Sequence, residues 1–361
     1  MPSDAKENVS PEQVAAFSKG VATAIRTEQK NISFKDAETF LAGSGDHNFA
    51  HGFHVEANPE GGQPIPVGFI KVCHENNRLQ LAREALTANL AGELELPVIS
   101  CLTPLTLLDN GDSLIELAVL NLENGDLLSN KELIAAVDPV FGTRAAQTIL
   151  SLYQKEIPTG IDTSVLKRDD ERSHSLKTFQ KIWQEQNGIV FDPQNQELVD
   201  ELIGSNALKE IVDSTFADIR PLLEESENPN IEYLVHDDAS PNNMFFNKDG
   251  SVTILDWEYA GATHNFLLAS ITDLGNFYGR CWPNPEMQRN ILSTILTFDK
   301  FDSLETKYKV AKTVAVFGSM YLSKYAMKRD NGEHPMPRAL LGNLLENLDY
   351  LSSEYRSLSQ T

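Results

Sequence analysis

The sequence predicts an α+β protein, mainly β up to about residue 122 and mainly helical from about residue 123. Two patterns predict it. Short apolar runs punctuated by glycine and proline turns recur between residues 32 and 122, whereas helical periodicity dominates from residue 131 to the end. A third observation is the interruption of that helical part by one extended stretch, Tyr233 to Glu258. At 361 residues the chain can hold one large domain or two lobes, each with its own core. A hydrophobic content of 41% with 17 Phe and 9 Tyr excludes a disordered chain. The 30 Lys and Arg against 52 Asp and Glu give a net charge of −22, which opposes nucleic acid and anionic membrane surfaces as partners. Cys73, Cys101 and Cys281 have no paired spacing, so neither a disulfide framework nor a zinc site is expected. No signal-peptide core occupies residues 1–30, and no apolar run reaches the ~18 residues of a membrane span. A cytoplasmic protein is the expectation.

Taken in order, Ser10-Pro11-Glu12-Gln13 is a helix start, with Ser as N-cap, and Val14, Phe17, Val21 and Ile25 continue one face. Leu41 to Phe49 is a loop of small residues before the alternating Phe53–Ala57. That alternation puts His51 and His54 on opposite faces, which argues against a metal site with His47. Val67–Val72 is a strand with Lys71 alone in an apolar run, where an ammonium needs a partner. Ala82–Leu90 is an amphipathic helix carrying Glu84, and Leu96–Ile99 and Leu114–Leu122 are two further strands. Helices are then expected at 131–137, 145–156, 176–186, 195–205, 208–225, 286–296, 304–328 and 337–358.

The stretch Y-L-V-H-D-D-A-S-P-N-N-M-F-F-N-K-D-G-S-V-T-I-L-D-W-E carries the chemistry. Met244–Phe246 and Val252–Leu255 are the arms of a hairpin turned by Asn247-Lys248-Asp249-Gly250, so Asn243 at its start returns beside Asp256 at its end. Asp238 lies in the loop just before. Two carboxylates and a carboxamide converging in this way suit a hard cation such as Mg²⁺ that bridges a polyphosphate. His236-x-Asp238, with Asn243 five residues on, also has the spacing of the catalytic loop of phosphoryl-transfer kinases.

The fuller pattern, H-x-D-x-x-P-x-N followed by I-L-D-W-E-Y-A, resembles the aminoglycoside phosphotransferase and choline kinase family of small-molecule kinases. The resemblance runs from Phe40 onward and is densest at 67–90, 234–258 and 272–277. It implies a bilobal, protein-kinase-like fold: an N-terminal extension over 1–29, a nucleotide-binding N-lobe over 30–122, and a C-lobe over 123–361, with ATP in the cleft. It implies Asp238 as catalytic base, Asn243 and Asp256 as Mg²⁺ ligands, and Lys71 on the phosphates with Glu84 to position it. Ser44 and Asn48 would cover the phosphates, and the backbone around Leu122 would meet the adenine. Tyr153 stands where a His is frequent, on the helix before the catalytic loop. Asp273, in an element starting the next helix, is the candidate to hold that loop.

Two departures stand out: Asp237 stands where the family usually has Gly, and the glycine loop is poorer than a protein kinase's. The implied activity is ATP-dependent phosphorylation of a hydroxyl on a small molecule. The carboxylates crowded into residues 195–232 favour a cationic acceptor of the aminoglycoside or choline type if they line the cleft, and are a solvated acidic face if they do not. A sugar- or homoserine-type kinase and a silent nucleotide-binding pseudokinase are the alternatives, and the oligomeric state is left open.

Overall fold

A computed structural model of the protein describes residues 37–44, 51–57, 65–73, 78–97, 101–107, 113–117, 125–128, 130–161, 163, 166, 176–192, 195–329 and 335–360. The expected N-terminal helix, Asn48 and the segment around Leu122 lie outside these residues. The chain forms two compact units, one of residues 1–93 with 98–123 and the other of residues 94–97 with 124–361.

In the first unit, β1 (Ala37–Ser44), β2 (His51–Ala57), β3 (Ile65–Cys73), β4 (Cys101–Leu107) and β5 (Ser113–Leu117) form one antiparallel sheet in the order β1-β2-β3-β5-β4. Lys71 stands on the central strand, opposite Gly52 of β2 and Ile115 of β5. Helix α1 (Arg78–Glu93) packs against β3, β4 and β5 and buries Leu81, Ala85, Ala88 and Ala91 together with Glu84. The strand expected at Leu96–Ile99 is a correction: Leu96 and Pro97 are not in a strand, and the strand lies further on, at Cys101–Leu107. Pro97 has no N–H to give a ladder, and its carbonyl accepts from Ile254 N at 2.8 Å within the second unit.

The second unit is helical around two small sheets. Its helices are α2 (Lys131–Ala136), α3 (Val140–Leu152), α4 (Leu176–Val190), α5 (Gln196–Leu202), α6 (Ser205–Glu225), α7 (Phe266–Arg280), α8 (Pro285–Thr297), α9 (Leu304–Arg329) and α10 (Pro335–Leu358). One sheet is β6 (Gly125–Leu127), β8 (Met244–Asn247) and β9 (Val252–Ile254), in the order β6-β8-β9; the other pairs β7 (Tyr233–Val235) with β10 (Gly261–Thr263). Helix α9 is the hub, packed against α4, α6, α7, α8 and α10. It approaches α7 at backbone distance through Gly318, and a Cβ on Gly279 would stand 2.6 Å from the Gly318 carbonyl.

Two helix starts lie well ahead of expectation. Helix α3 begins at Val140, directly after Pro139, because a proline is compatible with the non-hydrogen-bonded start of a helix. Helix α7 begins at Phe266, so Asp273 sits in its middle and not at its start. The Asn265 side chain caps it by accepting from Leu268 N at 2.9 Å, and its amide donates to Leu223 O at 2.7 Å.

Candidate active site

Strand β7 runs into His236, whose ring fixes the loop that follows. Nδ1 accepts from Asp238 N at 3.2 Å, so the imidazole proton is on Nε2, which meets the Leu255 carbonyl at 2.7 Å. Trp257, fully buried, packs edge-on against the same ring at 4.7 Å between centroids. His236 is thereby a brace between the loop and the far end of the hairpin.

A single turn of 3₁₀ helix, Pro241–Asn243, leads from the loop into β8. The hairpin then closes in the register Met244–Ile254, Phe245–Thr253, Phe246–Val252. Leu255 N donates to Asn243 O at 2.8 Å, which ties the residue before Asp256 to Asn243. Asn243 Nδ2 donates to both the carbonyl and Oδ2 of Asp238, each at 3.0 Å. With its nitrogen committed, the carboxamide has Oδ1 left to offer a ligand.

Asp237 and Asp256 both have left-handed backbones, at φ 65° and 59°. Among residues with a side chain, Asp is one of the few that tolerate this region. The first value explains the departure at Asp237, because its position requires the conformation that glycine adopts most easily.

Asp273, on α7, holds the loop. Its Oδ2 accepts from His236 N at 3.2 Å and from the Tyr153 hydroxyl at 2.5 Å, and its Oδ1 accepts from Asp237 N at 3.0 Å. Burial pushes the Tyr153 phenol well above its ordinary value, and the Asp273 carboxylate pushes it further the same way. Lys300 donates to the Tyr153 carbonyl and lies over the rings of Tyr233, at 4.7 Å, and Phe266, at 4.8 Å.

The sequence pattern assigned no role to two further neighbours of Asp238, although Asn276 lies in the element at 272–277. Asn276 Nδ2 lies 3.4 Å and Arg280 Nη2 3.6 Å from Asp238 Oδ1, and Arg280 Nε donates to Asn276 Oδ1 at 3.1 Å. The available signal was their spacing of three and seven from Asp273, which puts all three on one face of α7.

The predicted residues therefore divide. Asp238, Asn243 and Asp256 are gathered on one loop and hairpin. Lys71 is on β3, and Glu84, 1% exposed, is on α1 of the first unit. Ser44 ends β1 opposite His51 of β2. Asn48 and Leu122 are outside the described residues. Among the described residues no three His, Cys, Asp or Glu side chains gather as a metal cage. A carboxamide oxygen and a carboxylate fit a cation such as Mg²⁺, which takes few protein ligands and completes its shell from phosphate and water.

The acidic segment is built differently. Glu197, Asp200, Glu201, Glu210, Asp213, Asp218, Glu224, Glu225 and Glu227 are all exposed, while Leu208, Val212, Ile219 and Leu223 form the buried face of α6. Four of the carboxylates are paired: Glu201 with Arg338 at 2.6 Å, Asp213 with Lys209 at 2.6 Å, Asp218 with Lys312 at 3.4 Å and Glu224 with Arg220 at 2.8 Å.

No protein-family model and no curated protein matches the sequence. Solved structures match the fold. An aminoglycoside phosphotransferase from Alicyclobacillus acidocaldarius aligns at a TM-score of 0.52 and 12% identity, over 90% of this chain and 91% of that one. An ethanolamine kinase from Plasmodium vivax aligns at 0.51 and 11%, over 96% and 91%. The GDP and kanamycin complex of APH(2")-IIia aligns at 0.51 and 14%, over 92% and 98%. The chain thus has the fold of small-molecule phosphotransferases, as the motif resemblance implied.

Proposed function

We propose that the protein is a kinase that transfers the γ-phosphoryl group of ATP to a hydroxyl of a small molecule. The observation that carries this is the contact of Asn243 Nδ2 with Asp238 Oδ2 at 3.0 Å, on a loop whose backbone is held by Asp273 and whose far end is tied to the residue before Asp256. Asp238 accepts the proton as the acceptor O–H bond breaks. A P–O bond forms to the acceptor, the bond to the leaving ADP breaks, and the acceptor emerges as its phosphate ester. Asn243 Oδ1 and the Asp256 carboxylate would hold Mg²⁺, which neutralises charge on the phosphates when bound. Lys71 orients the phosphates and Glu84 positions Lys71; a carboxylate as buried as Glu84 is stable only with a cationic or hydrogen-bonding partner. Ser44 and Asn48 cover the phosphates, and the backbone near Leu122 receives the adenine.

For the acceptor, the net charge of −22 favours a molecule that carries an amine, such as an aminoglycoside or a choline-like alcohol. The pairing of Glu201, Asp213, Asp218 and Glu224 with local cations favours a second reading, a neutral hydroxylated acceptor. ADP release from ATP, measured with and without Mg²⁺ across amine-bearing alcohols, neutral sugars and homoserine, tests the function. Mg²⁺-dependent turnover with one acceptor class is the expected result. Nucleotide binding without turnover on any acceptor would make the protein a silent binder, and no nucleotide binding at all would end the kinase reading.

A further inference from the structure

The geometry points to Arg280, acting with Asn276, as a positioning residue for Asp238, and this rests on the phosphotransfer reading above. The Asp238 carboxylate is bracketed. Oδ2 is taken by Asn243 from the loop's own side, at 3.0 Å, and Oδ1 by Asn276 Nδ2 from α7, at 3.4 Å. Arg280 stands behind Asn276 and beside the same oxygen. Its Nε donates to Asn276 Oδ1 at 3.1 Å, which turns the Asn276 amide nitrogen towards Asp238, and its Nη2 lies 3.6 Å from Asp238 Oδ1. The guanidinium's fixed plane lets one side chain do both. Asp273, one turn earlier on the same helix face, fixes the backbone of the loop, so α7 sets both where the loop sits and which way its carboxylate points.

A base that must meet a hydroxyl within about 3 Å loses rate when its carboxylate swings through a few tenths of that distance. Asp238 also stands next to Asp237 in the chain, and a polyphosphate would add further negative charge. Arg280 is the cation that the described structure puts against Asp238. An ordinary basic residue in the last turn of a helix would favour the helix dipole and form a weak surface ion pair. Such a residue has no reason to be coupled to Asp238 in turnover, and that difference makes the idea testable.

The experiment is a double-mutant cycle on full-length protein, with ADP release in Mg²⁺ and ATP as the readout and water as the acceptor, so that no acceptor need be known. Arg280→Met, which keeps the aliphatic stem, is expected to lower kcat by ~10–100-fold, with nucleotide affinity and the urea midpoint close to wild type. Asn276→Ala should lose ~3–10-fold, and Arg280→Lys should fall between Arg280→Met and wild type. In an Asp238→Asn background the Arg280→Met effect should shrink to less than ~2-fold, because there is no longer a carboxylate to position. An Arg280→Met loss that persists undiminished in that background, or a wild-type kcat in Arg280→Met itself, overturns the positioning role and leaves the kinase reading intact. A wild-type protein that binds no nucleotide and releases no ADP overturns both.

Discussion

The loop around Asp238 and the acidic helix α6 with its neighbour α5 are both rich in carboxylates, yet they use them in opposite ways. Around Asp238, the carboxylates of Asp238 and Asp273 meet donors brought from elsewhere in the chain: Tyr153 lies 120 residues from Asp273, and Asn276 lies 38 from Asp238. On α5 and α6 the carboxylates face water, and their partners are cations one turn away, as with Lys209 and Arg220, or long exposed side chains, as with Arg338. Charge-assisted hydrogen bonds inside a partly dry network are worth several times an exposed pair, because water screens the latter and side-chain entropy opposes it. Acidic composition alone does not separate the two regions; the long-range partners do.

The first way to sharpen that contrast is at Asp238. Asp238→Asn should cut phosphoryl transfer by ~10²–10⁴-fold while ATP affinity stays within a few fold, since the carboxylate acts on the acceptor and not on the nucleotide. Single-turnover ADP release combined with nucleotide titration checks it, and near-normal turnover would remove Asp238 as the base.

Next in size is Asp273→Ala, which orphans His236 N, Asp237 N and the Tyr153 hydroxyl together. Each unmet buried donor costs about 1–3 kcal/mol, so a loss of about 3 kcal/mol or more in urea unfolding is expected, with turnover falling too as the loop loosens. A variant as stable as wild type would mean that the loop does not depend on this anchor.

Tyr153→Phe removes one arm of the same network and should cost about 1–2 kcal/mol. It also carries a pH signature. The phenol is pushed above its ordinary value of 10.0 in the folded protein, first by burial and then by Asp273. The neutral form is therefore favoured by folding: the contribution is fully present below the unfolded value and is lost as pH rises past it towards the folded one. Urea midpoints between about pH 8 and about pH 11 should fall more steeply for wild type than for Tyr153→Phe. Parallel profiles would show that the phenol is not buried against Asp273.

Local chemistry explains what the sequence made legible. The hairpin β8–β9 could be located because Asn247 to Gly250 is a turn whose glycine takes φ 95°, and because short apolar runs flank it; the pairing of Asn243 with the end of β9 followed from its length. The spacing of His236, Asp238 and Asn243 carried the resemblance, and the fold agrees with it. The brace from His236 Nε2 to Leu255 O and the Tyr153 bond to Asp273 join residues of distinct elements, and no local pattern marks them; the Asn276–Arg280 pair had only its helical spacing as a signal. Helix boundaries slipped where a side chain outside the helix decides them. Asn265 begins α7 seven residues before the Asp273-Leu274-Gly275-Asn276 element because its carboxamide both caps the helix and reaches Leu223. The exposed carboxylates of α5 and α6 were legible as composition but not as environment, since nothing local says that Arg338 or Lys312 will come to meet them.

The smallest effect is expected on that acidic face. Glu201 and Arg338 form the best-shaped pair there, with both guanidinium ends on both carboxylate oxygens at 2.6 and 2.9 Å. Hydrogen bonding by Arg338, and then its charge, lower the Glu201 carboxyl below its ordinary value. A depressed acid contributes stability above its unfolded value and loses it as pH falls through the folded one, so any contribution belongs to neutral pH and fades in acid. Both groups are fully exposed, and water and salt screen the pair, so Glu201→Gln should move the urea midpoint far less than any substitution at Asp273 or Tyr153. The difference from wild type should also vanish at roughly 1 M salt, where the screening length falls to about 3 Å. If Glu201→Gln proved as costly as Tyr153→Phe, or kept its full cost at high salt, the two regions would not differ in kind, and the carboxylates of α5 would have to be counted as structural anchors like Asp273.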